Sequence, residues 1–204
     1  MLARVLGGGT EGNERLTALT GIVLIVLLAV IGLTLVRLRA LISVHLFVGL
    51  LLIGPVLLKL ASTGYRFARY YTFSRVYRER GAPALLLRLS APVVVLSTIG
   101  VFASGIALLL VGPDSAGLLR GLHKASFIVW IAFTAVHVLG HLPDLPRALL
   151  ARSASGFGYR PYEPGGIGRG ISLAGALVGG VVLAILLIPH FGPWTHFERV
   201  FVDR

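Results

Sequence analysis

Six histidines are the side chains of this sequence best able to do chemistry, and several of them fall in or at the ends of long apolar runs. His45 lies near the start of a run over 40–60. His123 and His137 lie near opposite ends of a run over 118–141, with His141 one helical turn after His137. His190 closes a run over 170–190, and His196 follows it. An ionisable ring is costly in such a run, so its presence points to a metal ligand, a proton carrier or a hydrogen-bonded packing group. The chain has no cysteine, which excludes disulfides, iron–sulfur ligation and thiol chemistry. Any metal must be held by His, carboxylate or backbone groups.

The spacing of His123 and His137 narrows the choice. Fourteen helical residues turn about 40° short of four full turns and rise ~21 Å, so both rings share a face at different depths. One helix can then offer an imidazole to each of two sites stacked across a bilayer. That geometry suits haem irons, each needing a second axial ligand from a neighbouring helix.

The elements that must carry these rings are read from composition. Hydrophobic residues make up 56% of the 204-residue chain, more than a water-facing domain of this length can cover. Five apolar runs, at 17–37, 40–60, 91–112, 118–141 and 170–190, are each long enough to span a bilayer as a helix. No strand pattern and no internal repeat is found. The expected class is an all-α integral membrane helical bundle with about five transmembrane helices and a four-helix haem-binding core. The first run is longer than a signal-peptide core and is followed by Arg37 and Arg39, not by a small-residue cleavage pattern, so it is expected to be retained.

The net charge of +11 is carried by short segments between the runs, as in cytoplasmic loops facing anionic lipid, and not in a nucleic-acid-binding pattern. One basic segment, "STGYRFARYYTFSRVYRERGAP", follows the second run, and there is room for the helix to extend into it past Lys59; a second segment carries Arg147, Arg152, Arg160 and Arg169. The positive-inside rule puts both in the cytoplasm. The expected layout is a cytoplasmic N-terminus at 1–16, a membrane core at 17–141, a cytoplasmic loop at 142–169, a fifth helix at 170–190 and an extracytoplasmic tail at 191–204. The fifth helix reads as an added packing helix, with Gly175, Gly179 and Gly180 as a small-residue face. The location is a cell membrane, crossed several times.

With this topology the second and fourth helices both begin outside, so His45 and His123 lie at similar depth and form a candidate bis-histidine pair. Gly49, one turn after His45, would let a flat macrocycle approach the backbone. Arg37, Arg39, Arg120 and Lys124 cluster near the same level and could pair with haem propionates. His137 is a candidate ligand for a second iron, but no His stands at the inner end of another helix. One haem is therefore expected.

These residues resemble the membrane cytochrome b subunits of bacterial formate dehydrogenases and nickel–iron hydrogenases. In that superfamily a four-helix core binds b-type haem through a His on the second helix and two His fourteen residues apart on the fourth. His45, His123 and His137 match those positions. The family's inner haem takes its other ligand from the first helix, which has no His here. The resemblance covers 17–141 and implies haem b, electron exchange with membrane quinone and a partner oxidoreductase subunit. The chain would then be an electron-transfer subunit and not a stand-alone enzyme.

Two other readings compete. A non-redox multi-pass protein, such as a small transporter or assembly subunit, would use the histidines for packing or proton relay. The lack of mid-span Asp or Glu counts against proton-coupled transport. A metal enzyme built on His137 and His141 lacks an accompanying Glu.

Overall fold

The computed structural model describes residues 9–72, 75–78, 85–141 and 165–196. The described residues are helical apart from turns and contain no strand. Five long helices account for most of them: α1 (Gly9–Val36), α2 (Ile42–Tyr71), α3 (Leu85–Val111), α4 (Gly117–His141) and α5 (Gly166–Leu187). All five are long and apolar enough to cross a membrane. Residues 142–164 of the expected loop and 197–204 of the expected tail lie outside the described residues, as do 1–8.

α1 shows why these segments are helices. Residues 16–36 carry no charge and are rich in Val and Ile, which in water would favour strands. In hydrocarbon every backbone group must be satisfied within the segment, and a helix does that whatever the side chains prefer. The side chains are arranged inside out relative to a water-soluble domain. Thr20 and Thr34 are 0% and 2% exposed, whereas Leu33 and Leu118 are 68% and 87% exposed. Such an apolar exterior, with hydroxyls turned inward, is what a lipid environment demands. The chain is an all-α, multi-pass membrane protein.

The helices form two compact units. The first contains α1, α2 and α5. α1 and α2 form the expected tight hairpin, closed by the turn Arg37–Leu41, in which the Leu41 amide donates to the Arg37 carbonyl at 3.0 Å. α2 packs along both α1 and α5, and α5 touches α1 more lightly. The contact between α2 and α5 is backbone against backbone. A Cβ placed on Gly54 would strike the Ala176 carbonyl, and one placed on Gly180 would strike the Leu51 carbonyl. Gly175 and Gly179 face open space, so Gly180 alone of the expected small-residue face makes the close approach. α5 thus belongs to the same unit as α1 and α2, where the sequence suggested an added element beside a four-helix core. At its end Pro189 stands in a 3₁₀ turn, Ile188–Phe191, and a short helical turn, Gly192–His196, follows.

The second unit holds α4 and α3 as far as Leu108. The pair is antiparallel, with Gly140 against Leu87, Trp130 bonded to Thr98, Ser126 against Gly100 and His123 bonded to Ser104. Gly112, after α3, has φ +80°, a left-handed conformation that favours glycine and stops the helix.

The helices outrun the sequence expectation at some ends. α1 begins at Gly9, α3 at Leu85, and α2 continues to Tyr71, through the first half of the basic segment.

The glycine contact predicts a sharp asymmetry between neighbours. Gly180→Ala should destabilise the purified protein by about 1–3 kcal/mol through overpacking against a carbonyl, while Gly179→Ala should be close to neutral. Thermal unfolding in detergent of the two variants checks this.

Candidate functional site

His45 sits on the first turn of α2, half-buried, with its Nδ1 2.8 Å from the Thr34 hydroxyl of α1. Thr34 has one hydroxyl hydrogen, and it donates that to the Ile31 carbonyl of its own helix at 2.5 Å. The hydroxyl therefore accepts from His45, and Nδ1 carries the proton. A neutral ring then has its lone pair on Nε2.

His123 repeats this chemistry in the other unit. Its Nδ1 lies 3.1 Å from the Val101 carbonyl, which can only accept, and 3.0 Å from Ser104 Oγ. Ser104 donates to the Gly100 carbonyl at 2.5 Å, so it too accepts from the ring. His123 is again an Nδ1–H imidazole with its lone pair on Nε2. Gly105 adjoins the ring: a Cβ there would come within 3.2 Å of His123 Cε1. Both rings make an Nδ1 hydrogen bond that leaves Nε2 as the acceptor nitrogen of the neutral imidazole.

A third pair has the same form. Thr98 donates to the Val94 carbonyl at 2.6 Å and accepts from Trp130 Nε1 at 3.0 Å. On α4, His123, Ser126, Trp130, Thr134 and His137 recur at three- and four-residue intervals and so share one face. His137 is half-buried there.

The other sequence candidates fall as follows. Gly49 faces α1, where a Cβ would meet Ile31 Cδ1 at 3.7 Å in ordinary contact. Arg37 and Arg39 are exposed in the turn between α1 and α2, a few residues before His45. Arg120 is half-buried and Lys124 exposed, both within one turn of His123 on α4. His190 is exposed. The side chains of His141 and His196 lie outside the described residues. Among the described residues no three His, Asp or Glu gather as a metal-binding group. His45 belongs to the first unit and His123 to the second, and each is described within its own.

One polar cluster was not foreseen. Lys59 of α2 donates from Nζ to the Thr17 carbonyl of α1 at 2.7 Å, over Gly21. The Thr17 and Ser62 hydroxyls lie 3.0 Å apart, and Asn13 Nδ2 donates to the Ser62 carbonyl at 3.1 Å. Arg66 pairs with Glu14 at 3.9 Å. The sequence signal was a Lys at the end of an apolar run opposite a Thr and an Asn, but the helix that would answer it could not be named from one chain segment.

Comparison with family models, curated proteins and solved structures returns no match.

The hydroxyl-bonded rings give a spectroscopic expectation. In ¹⁵N-histidine NMR of haem-free protein at neutral pH, His45 and His123 should both show the Nδ1–H tautomer. Thr34→Val should disturb the His45 pattern and leave that of His123 in place, and Ser104→Ala should do the reverse. The lost bond should cost about 1 kcal/mol in each case.

Proposed function

We propose that this chain is a b-type haem membrane protein that carries electrons between membrane quinone and a partner oxidoreductase, with His45 and His123 as its axial ligands. The observation that supports this most directly is the matched state of the two rings. Each is half-buried in an apolar helix, each is held at Nδ1 by a hydroxyl that donates to its own helix, and each therefore carries its lone pair on Nε2. The likeness of the His45, His123 and His137 positions to those of membrane cytochrome b subunits supports it from the sequence side.

In this reading haem supplies one-electron iron chemistry, and the chain supplies ligand geometry and polarity. Thr34 and Ser104 fix ring orientation and raise the basicity of Nε2 by accepting the Nδ1 proton. Gly105 keeps the space against the His123 ring clear. Arg37, Arg39, Arg120 and Lys124 supply cations for propionates. His137 has no matching ligand on the first helix, so one haem is proposed. The basic segments put the N-terminus in the cytoplasm and the C-terminus outside the cell membrane.

Optical spectra of protein expressed with ample haem test the reading. Wild type should give a reduced-minus-oxidised α-band and a sharpened Soret peak. His45→Ala and His123→Ala should each lose the low-spin spectrum, and His190→Ala should keep it. A colourless wild-type protein would return the histidines to packing or proton relay.

A further inference from the structure

The end of the α1–α2 pair that carries the Lys59 cluster has a property that electron transfer does not use. α2 is 30 residues long, ~45 Å of helix, against a hydrocarbon core of ~30 Å. About ten residues of it must overhang the apolar layer. The hydrogen bonds and ion pair joining Asn13 to Ser62, Thr17 to Lys59 and Glu14 to Arg66 place the start of α1 beside this overhang. On α1, the exposed surface from Leu19 onward is apolar, with Ile25, Val26, Leu33 and Val36 the most exposed. Lys59 reaches α1 at Thr17, two residues before that apolar surface begins, and so marks its edge.

Beyond the edge the chemistry changes at once. Arg15, Lys59, Arg66, Arg69, Arg75 and Arg78 stand at this end, against the acids Glu11 and Glu14 among the described residues. The short helical turn Arg75–Arg78 follows α2 closely and contacts it, so its two arginines stand near the rest. Tyr65, Phe67 and Tyr71 are exposed among the arginines. Phe67 and Tyr71 have ring centroids 4.5 Å apart, and Tyr70 and Tyr71 5.2 Å. Excess cationic charge flush with an apolar surface, interleaved with amphipathic rings, matches a layer of phosphate-bearing headgroups over acyl chains.

We propose that this end of the α1–α2 pair is a binding surface for anionic phospholipid headgroups, with Arg66, Arg69, Arg75 and Arg78 as the phosphate-binding side chains. The aromatic rings set its depth, and Lys59 closes its apolar edge. An acidic soluble protein would also answer the charge, but the surface adjoins the lipid-facing wall of the same helices, where headgroups are already at high local concentration.

Electron paramagnetic resonance of spin-labelled lipids in phosphatidylcholine proteoliposomes tests this on the full chain. Trace spin-labelled phosphatidylglycerol should be held at the protein surface about fivefold more strongly than spin-labelled phosphatidylcholine. The combined Arg66→Gln, Arg69→Gln, Arg75→Gln and Arg78→Gln variant should lose that preference. His190→Ala, an exposed position beyond the end of α5, should keep it. About 0.5 M NaCl should erase the preference in wild type, a measurement that stands even if the fourfold variant fails to fold. Equal retention of the two lipids by wild type, as expected if the patch docks a soluble protein, overturns the proposal. So does a preference that survives either the fourfold substitution or the salt.

Discussion

A ring nitrogen or hydroxyl turned toward hydrocarbon has no water to bond, and three interhelical contacts in this chain answer that constraint in one way. In each, a Ser or Thr donates its hydrogen to a carbonyl one turn back on its own helix and accepts an N–H from a ring on the neighbouring helix. The pairs are Thr34 with His45, Ser104 with His123 and Thr98 with Trp130. The arrangement satisfies two polar groups with one hydroxyl. It also ties helices together where apolar side chains cannot, because lipid is as apolar as they are.

The same constraint explains the glycines. Without a hydrophobic drive between helices, close approach of backbones is the other available source of attraction. α2 and α5 meet at Gly54 and Gly180, each lying under a carbonyl of the other helix. α2 is thereby the centre of its unit, bound to α1 by polar contacts at both ends and to α5 by backbone proximity. Polar contact and glycine contact are complementary: the first fixes register by direction, the second by shape.

The proposed haem ligands draw on this scaffold and do not depart from it. A histidine held at Nδ1 loses rotational freedom and keeps a defined lone pair at Nε2, which is what an iron ligand requires. In the proposed function, the hydrogen bond that makes the ring tolerable in the helix pair would also orient it toward iron. The Lys59 cluster is organised differently, since an ammonium at the end of a span can reach the interface while its stem stays among apolar neighbours.

The class of the protein was legible in the sequence by itself. Long uncharged runs set helices across a bilayer because backbone groups there can be satisfied in few ways, and no detail of packing alters that. The tight turn after Val36 and the helical extension beyond Lys59 were legible for the same local reason. His45 and His123 stood out by cost alone. What only the tertiary structure decided is which helix answers which. Three glycines on α5 look alike in sequence, yet Gly180 meets Leu51 while Gly175 and Gly179 meet nothing. Thr34 and Ser104 look like two of many small polar residues, yet each bonds a ring on the neighbouring helix, and α5 joins α1 and α2 as one unit. Those outcomes depend on rotation and register between helices, which one helix's periodicity does not contain.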